Sequence, residues 1–182
     1  MDRIKKNKLV SEIKDYISKL DLNIELKTNF NFRIFHQNSC SFLFPFNSKL
    51  MCNSFLYNSE NSLWSISNLS TSDSEISFSL LHISSNSYLS VTLEDFSLFL
   101  HQTESPTTFY CDKNCFNTEI LVYFRKDSQK FYLNALWSCS ELDFDDSDVS
   151  QHDYVHNQDI AMSIEENKEN MESLKWKFLV DN

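Results

Sequence analysis

The sequence predicts an all-β fold, because period-two alternation, frequent turn signals and an internal repeat run through most of its length. From residue 24 to about residue 137, apolar and polar residues alternate, and β-branched and aromatic residues dominate. Turn signals made of Asn, Asp and Ser recur every eight to twelve residues, a spacing typical of barrels and sandwiches. These observations indicate many short antiparallel strands.

Residues 5–20 break this pattern and predict a helix. Ile13 and Ile17 lie four residues apart on one helix face, while lysines occupy the other face. We expect residues 1–23 to form a basic amphipathic helix or extension that packs against a β domain spanning residues 24–182. Docking of this helix to a membrane or a partner is the alternative.

The turns must form without glycine, since the chain contains none. Tight turns often require positive φ, which glycine adopts at little cost. Asn and Asp tolerate that conformation better than most other residues, so they and Ser must take these positions. We expect them to do so in "HQNSC", "ISSNSY" and "RKDSQK".

Three segments repeat at offsets of 46 and 44 residues. An aromatic residue followed by leucine returns each time, and the leucines are Leu43, Leu89 and Leu133. Further sets at the same offsets are Phe32, Phe78 and Val122; Ile34, Leu80 and Phe124; His36, His82 and Lys126; and Phe42, Tyr88 and Tyr132. Three four-stranded units with equivalent inward residues predict a β-trefoil. In that fold six strands close a pseudo-threefold barrel, three hairpins cap it, and the leucines meet on a common axis.

The third unit is longer than the second. Trp64 and Phe109 are 45 residues apart, whereas Phe109 and Trp176 are 67 apart, so the third unit carries 22 additional residues. Residues 143–170 account for them and hold nine acidic residues against one lysine. Such a composition does not bury enough apolar surface to order itself. We therefore predict a long, mobile acidic loop at 143–170 in the third repeat.

The composition restricts which partners the protein is expected to bind and which cellular compartment it is expected to occupy. A net charge of −10 argues against nucleic acid and anionic membranes. Five cysteines without CxxC spacing favour a reducing compartment. No window reaches the roughly 18 uninterrupted apolar residues of a membrane span, and the N-terminus lacks the apolar stretch of a secretory signal. We expect a monomer that is cytoplasmic, or extracellular after unconventional release.

Few residues show a catalytic or metal-binding pattern. Nucleophile elbows, P-loops and dinucleotide fingerprints all need glycine. His152 and His156 lie four apart, but solvated loop histidines are favoured over a zinc site. Cys111 and Cys115 do not have the spacing of a zinc ribbon, and buried cysteine is the default. We expect no enzymatic activity, no catalytic residue, no metal and no cofactor.

The aromatic and histidine residues of the repeats have two candidate locations, the core and the surface. Trp64 and Trp176 each end a repeat, as tryptophans do in trefoil lectins, but they lack the accompanying glutamine and are predicted to fill the core. His36 and His82 are predicted to lie on the surface at hairpin entrances.

Three stretches resemble the β-trefoil cytokines of the interleukin-1 family and, more loosely, the fibroblast growth factors. They are "NSYLSVTLEDFSLFLHQ" (86–102), "KFYLNALWSCSELDF" (130–144) and "SLKWKFLVDN" (173–182). In those families a "YLS"-type strand leads into a hairpin with an acidic turn, here "LEDF", and the chain ends on an alternating strand. The proline that usually precedes the aromatic run is absent from "QKFYLNA". A growth-factor-like basic cluster is also absent from residues 120–182.

The resemblance implies a non-enzymatic, cytokine-like ligand that binds a cell-surface receptor through loops. If the trefoil surface binds a partner, we predict contacts from the turn residues Glu94, Asp95 and Lys126. Two alternatives stay open: an intracellular interaction or scaffold module, such as a cytoskeletal one, and a carbohydrate-binding trefoil lectin. A lectin would place an aromatic residue and an Asp or Asn in a shallow pocket on each unit.

Overall fold

In the computed structural model, most of the residues that it describes lie in antiparallel strands. It describes residues 8, 11–13, 15, 30–36, 41–46, 49–53, 59–92, 94, 97–113, 120–135, 158–164 and 174–180. The strands are β1 (Asn31–His36), β2 (Ser41–Phe46), β3 (Lys49–Asn53), β4 (Leu63–Thr71), β5 (Glu75–His82), β6 (Ser87–Val91), β7 (Leu98–His101), β8 (Phe109–Asp112), β9 (Ile120–Leu121), β10 (Tyr123–Lys126), β11 (Gln129–Ala135), β12 (Gln158–Ile164) and β13 (Lys175–Val180). A 3₁₀ turn, Glu60–Ser62, precedes β4. The predicted all-β class is confirmed.

The strands pair in a ring that is nearly closed. β1 pairs with β4, β4 with β5, β5 with β8, and β8 with β10. β9 pairs with β13, and β13 returns to β1. β9 and β10 follow each other in the chain and are separated only by Val122. They therefore continue one another, and the sheet forms a barrel-like wall. Three hairpins, β2–β3, β6–β7 and β11–β12, extend from it, and β3 also pairs with β12.

One hydrophobic core fills this wall. Leu43, Leu89 and Leu133 are fully buried and belong to the same cluster of buried side chains. Trp64 and Trp176 are also fully buried there, which confirms that they fill the core. Their indole N–H groups donate to the carbonyls of Leu43 (3.1 Å) and Leu133 (2.9 Å). Each buried indole N–H group therefore has a hydrogen-bond acceptor, as the burial of a polar group requires.

Two histidines are buried against these tryptophans. His36 lies opposite Trp176 and His82 opposite Trp64 in their strand pairs, and in each pair the ring centroids are 5.0 Å apart. Both histidines are almost completely inaccessible to solvent. The predicted surface location of His36 and His82 is therefore wrong, because each imidazole packs on an indole of the core.

The third unit departs from the predicted alignment by two residues. Where β5 leads into the β6–β7 hairpin, His82 pairs with Ser87, five residues later. Where β10 leads into the β11–β12 hairpin, Phe124 pairs with Phe131, seven residues later. Ser87 and Phe131 each directly precede a Tyr–Leu pair, so the strand pairing puts Phe124, and not Lys126, at the position that His82 has in its own hairpin. The alignment without gaps missed this because β10 and β11 continue pairing up to a two-residue turn.

Non-glycine residues take the positive-φ positions, as predicted. Among the described residues these are Asn68 (φ 51°), Asn86 (φ 49°), Asp127 (φ 50°) and Ser128 (φ 68°). Asn86 lies in "ISSNSY" and the Asp–Ser pair in "RKDSQK", whereas residues 37–40 of "HQNSC" lie outside the described residues. Asn68 lies where the β4–β5 register shifts between Ser67 and Ser70, so it supplies the local kink of a bulge.

The predicted acidic loop contains a strand. Gln158–Ile164 forms β12, which pairs with β11 on one side and with β3 on the other. The prediction of a loop over 143–170 is therefore corrected for these residues, and the rest of that range lies outside the described residues. Averaging the charge over the range concealed the alternation of Ile160, Met162 and Ile164, which is a strand signal.

The N-terminal residues that the structure describes are helical. They are residues 8, 11–13 and 15. Ile13 is fully buried, whereas Lys8 and Glu12 form an exposed i,i+4 ion pair of 3.8 Å. A lone helix cannot bury a side chain completely, so Ile13 packs on another part of the chain. Among the described helices, none combines the length and the apolar character that crossing a membrane requires.

Candidate binding surface

A row of three tyrosines crosses the outer face of the barrel wall. Tyr123 of β10 pairs with Tyr110 of β8 on one side and Tyr132 of β11 on the other. The Tyr110 and Tyr123 rings stack with centroids 5.8 Å apart, and those of Tyr123 and Tyr132 are 5.5 Å apart. Because side chains alternate along a strand, Tyr123 faces away from the core that holds Val122 and Phe124. The tyrosines form a separate small cluster with Leu174.

Four charged side chains cover these rings. Arg125 lies over Tyr110 (guanidinium carbon to ring centroid 4.9 Å), and the Lys130 ammonium lies 4.1 Å from the centroid of Tyr123. Glu75 and Asp112, paired neighbours on β5 and β8, supply the carboxylates. We call these seven residues the tyrosine–ion cluster: Glu75, Tyr110, Asp112, Tyr123, Arg125, Lys130 and Tyr132.

Glu75 is the centre of the charge network. It accepts hydrogen bonds from the Tyr123 hydroxyl and from Nη2 of Arg125. The Lys130 ammonium lies 3.8 Å from Glu75 and 3.7 Å from Asp112. Arg125 and Lys130 are direct cross-strand partners, and like charges in that relation destabilise a sheet. The two carboxylates offset this repulsion, so the charges of the cluster depend on one another.

The cluster shifts two pKa values in opposite directions. The hydrogen bond from Tyr123 lowers the pKa of the Glu75 carboxyl below its ordinary value, and the charges of Arg125 and Lys130 lower it further. Burial raises the pKa of the Tyr123 hydroxyl well above its ordinary value, and the hydrogen bond to Glu75 adds to that effect. At neutral pH Tyr123 therefore keeps its proton and donates a hydrogen bond to an ionised Glu75.

The cluster is layered from the barrel outwards. Tyr123 is fully buried at its base. Glu75 is 20% exposed above it, whereas the side chains of Arg125, Lys130 and Asp112 are 40%, 35% and 48% exposed. A guanidinium and an ammonium on an aromatic base are well suited to hold a carboxylate, since both donate charge-assisted hydrogen bonds.

The predicted contact residues lie on different hairpins. Glu94 is exposed in the connection between β6 and β7. Lys126 is half-buried at the end of β10, opposite Gln129 and next to Arg125 of the cluster. Asp95 lies outside the described residues.

The tyrosine–ion cluster was not predicted from the sequence, although one sequence signal indicated part of it. Residues 123–132 read "YFRKDSQKFY", so that Tyr faces Tyr, Phe faces Phe and Arg faces Lys once the turn forms at Asp127–Ser128. This near-palindrome predicts a hairpin whose outer face carries paired cations beside paired tyrosines. The contributions of β5 and β8 could not be read from it, because they come from distant parts of the chain.

A second polar site is internal and serves the fold. His82 Nε2 donates to the carbonyl of Asn61 (3.0 Å), which can only accept, so Nδ1 accepts from the Ser85 hydroxyl (2.8 Å). Arg33, also buried, donates to the Ser59 carbonyl and the Ser62 hydroxyl of the same 3₁₀ turn. Burial lowers the pKa of His82. These bonds join the turn before β4 to β1 and to the β5–β6 connection.

The cysteines and histidines do not assemble a metal site in the described part of the chain, where no group of three or more potential ligands occurs. Cys52 and Cys111 are buried and not in disulfides. Burial raises the pKa of the Cys52 thiol, which makes it unreactive. His152, His156 and Cys115 lie outside the described residues.

Comparison with known proteins shows similarity of fold without a family. No family model and no curated protein matches the chain. A Caenorhabditis elegans protein of unknown function, solved by structural genomics, aligns with a TM-score of 0.55 at 13% identity over 86% of this chain and 97% of that one. The Saccharomyces cerevisiae protein O-mannosyltransferase Pmt1–Pmt2 complex bound to the sugar donor aligns with a TM-score of 0.54 at 9% identity. That match covers 91% of this chain but only 28% of the yeast chain. At such identities both matches show the fold alone.

Proposed function

We propose that this chain is a β-trefoil that acts as a non-enzymatic protein-binding module. Three features support the trefoil: a ring of six strand positions, three hairpins at its end, and leucines at matching hairpin positions in one core cluster. Matching ladder pairs add to this support. Phe32 lies opposite Trp64, and Phe78 opposite Phe109.

The tyrosine–ion cluster carries the proposal of protein binding. Tyr and Arg are, with Trp, enriched among binding hot spots, and both combine a large contact area with hydrogen-bond donors. Here Arg125 is stacked on Tyr110 at 4.9 Å and remains 40% exposed. The backbone of the cluster lies in paired strands of the barrel wall, so binding would order little additional backbone.

A receptor ligand of the interleukin-1 type is the specific form of the proposal. It rests on the sequence resemblance in residues 86–102, 130–144 and 173–182. In this form the chain binds a cell-surface receptor through the cluster and the neighbouring turn that includes Lys126. An intracellular module would use the same surface on a cytosolic partner.

Parallel capture from two sources tests the proposal. Biotinylated full-length protein is incubated with intact cells and with cytosolic extract, and bound proteins are identified after washing in moderate salt. We expect saturable, stoichiometric capture of one partner that Tyr110→Ser weakens. Ser65→Ala is the matched control, because Ser65 lies opposite Leu81 as Tyr110 lies opposite Tyr123.

The source of the partner separates the forms of the proposal. Capture on intact cells supports the receptor ligand, and capture from cytosol supports the intracellular module. Glycan-array binding by a protein that captures no protein partner from either source would contradict the proposal and favour the lectin.

A further inference from the structure

We infer that His82 is an acid-released latch between two turns, the 3₁₀ turn Glu60–Ser62 and the β5–β6 connection (residues 83–86). The latch holds these turns together near neutral pH, and both turns open as the pH falls while the barrel core stays folded. The inference goes beyond the proposed function, because it concerns a conformational change within the chain. It is carried by the hydrogen bonds and burial of the His82 ring and by the residue at the matching position of the third unit.

The His82 imidazole joins two turns that are distant in the sequence. Its Nε2 donates to the carbonyl of Asn61 (3.0 Å), and its Nδ1 accepts from the hydroxyl of Ser85 (2.8 Å). The residue is 2% exposed, and its ring packs on the ring of Trp64 with the centroids 5.0 Å apart. The imidazole is therefore a buried link between the turns, and each ring nitrogen holds one of them.

The fold does not require a histidine at this position. Strand pairing puts Phe124 at the corresponding position of the third unit, where it is buried and packs on the ring of Phe131 at 5.2 Å. An apolar ring fills the space there without hydrogen-bond partners, whereas a buried imidazole needs a partner for each nitrogen. The second unit supplies both partners, one from each turn. This difference indicates that His82 serves the contact between the turns and not packing alone.

A second proton on the ring disrupts this arrangement. The neutral ring accepts at Nδ1, whereas the imidazolium has two donors and no acceptor, so protonation removes the acceptor of the Ser85 hydroxyl. Protonation also places a charge where almost no solvent reaches it. Burial therefore lowers the pKa of His82, and the hydrogen bond to the Asn61 carbonyl opposes this effect only in part. Since the ring takes up a proton more readily once it reaches water, a falling pH favours the open form.

In the described part of the chain, no carboxylate pairs with His82 to offset the added charge. The charged and titratable side chains on the elements packed around it are Arg33 of β1, Glu60 of the 3₁₀ turn and Tyr88 of β6. Arg33 is itself a buried cation that donates to the carbonyl of Ser59 at the start of the same turn. Glu60 is exposed to solvent, which screens its charge.

The opening is local because the two turns are largely exposed. Glu60, Asn61 and residues 84–86 are exposed. A second hydrogen bond between the turns, from the Ser84 hydroxyl to the carbonyl of Glu60 (2.9 Å), lies at the surface, where water readily replaces it. Segments with exposed hydrogen bonds and few buried contacts open at a lower free energy than the whole chain unfolds.

Amide hydrogen exchange of the isotope-labelled, full-length chain tests the inference at about pH 7.5 and about pH 5.5, on either side of the ordinary histidine pKa. The reporters are the amides of Ser62 and Asn86, each of which donates to a carbonyl within its own turn. The amide of Leu133, which donates to the carbonyl of Val122 in the third unit, is the internal reference. Protection factors remove the intrinsic pH dependence of exchange from the comparison.

We expect the protection of Ser62 and Asn86 to fall by up to about tenfold between these two pH values, because the ring titrates near its ordinary pKa of about 6.5 in the open form. The closed form is thus fully favoured above that pKa, and this advantage is lost as the pH falls toward the lowered pKa of the closed form. Leu133 should stay better protected at both pH values. Low concentrations of urea should leave exchange at the two turns unchanged, because a local opening exposes little surface.

Substitutions separate the charge of His82 from its hydrogen bonds. His82→Gln and His82→Phe should both abolish the pH dependence of protection at Ser62 and Asn86, because neither side chain titrates; Phe copies the residue of the third unit. Ser85→Ala is the matched control, since it removes the hydrogen bond at Nδ1 but keeps the imidazole. In that variant protection should be lower at both pH values and should still fall in acid.

Three outcomes would overturn the inference. The first is protection of Ser62 and Asn86 that does not fall at the lower pH. The second is an undiminished fall in both His82→Gln and His82→Phe, because another group would then be responsible. The third is exchange of the turn amides that depends on urea as steeply as that of Leu133, since the turns would then open only when the whole chain unfolds.

Discussion

At the scale of single residues, the buried histidines have the clearest consequence. His82 is held neutral between Asn61 and Ser85 on one side and the Trp64 ring on the other. Its pKa is lowered from the ordinary value of 6.5 because burial disfavours the charged form. The unfolded chain therefore takes up a proton first as the pH falls. The contribution of His82 to stability is complete above about pH 6.5 and is lost as the pH falls toward the folded-state pKa.

We predict that the chain is easier to unfold at about pH 5.5 than at about pH 7.5. The midpoint of urea unfolding, followed by tryptophan fluorescence, measures the change. His82→Gln should reduce the pH dependence, since Gln does not titrate. A pH dependence that stays undiminished in His82→Gln would contradict this assignment.

Glu75 is the second residue with a measurable role. Replacing it by Gln leaves Arg125 facing Lys130 across the strands without the central carboxylate. We predict that Glu75→Gln lowers the free energy of unfolding by about 1–3 kcal/mol, as expected for loss of a partly buried, charge-assisted hydrogen bond. Chemical denaturation near neutral pH measures it, and Glu104→Gln on the exposed surface is the control.

The pH dependence supplies an independent check on Glu75. Its pKa is lowered from the model-peptide value of 4.5, so its stabilisation is present above about pH 4.5 and is lost as the pH falls through the folded-state pKa. The difference between the wild-type chain and Glu75→Gln should therefore shrink in acid. A difference that persists unchanged at low pH would show that the cost comes from packing rather than charge.

At the scale of elements, the β10–β11 hairpin depends on a turn built without glycine. Asp127 and Ser128 both have positive φ (50° and 68°), which is the geometry of a two-residue type I′ turn. A non-glycine residue in that conformation pays roughly 1–2 kcal/mol. Part of this cost is offset because a non-glycine residue has less conformational entropy to lose from the unfolded chain than glycine has.

We predict that Ser128→Gly stabilises the protein by up to about 1 kcal/mol. Thermal unfolding of the full-length chain measures the gain. Ser105→Gly is the matched control: Ser105 is exposed and is not among the positive-φ residues, so glycine there should destabilise slightly. Destabilisation by both substitutions would contradict the assigned turn.

The elements also show what the sequence can and cannot predict. Period-two alternation predicted the β class, and Asn86, Asp127 and Ser128 took positive φ as turn chemistry required. Alternation does not say how far a ladder continues, so the two-residue shift at Phe124 was not visible. The tyrosine–ion cluster was missed for another reason: Glu75 and Tyr123 are 48 residues apart in the chain. Only the pairing of β5 and β10 with β8 brings their strands to one face.

At the scale of the whole molecule, the proposed trefoil predicts that three leucines meet on a common axis. Leu43, Leu89 and Leu133 are fully buried in one cluster. Each lies on the hairpin strand that follows the barrel strand, paired with Cys52, Leu100 and Met162 respectively. We predict that Leu89→Ala and Leu133→Ala each cost about 2–5 kcal/mol. Leu81→Ala, on the half-buried outer row, should cost less.

The double variant tests whether these leucines share one site. Substitutions at distant sites add to within about 0.5 kcal/mol, whereas residues in contact deviate by about 0.5–3 kcal/mol. If the three hairpins converge on a common axis, Leu89→Ala opens a cavity beside Leu133, and the second truncation then removes contacts that are already weakened. The combined loss in Leu89→Ala, Leu133→Ala should therefore be smaller than the sum of the single losses. Strictly additive losses in urea unfolding would place the leucines in separate layers and refute the pseudo-threefold arrangement.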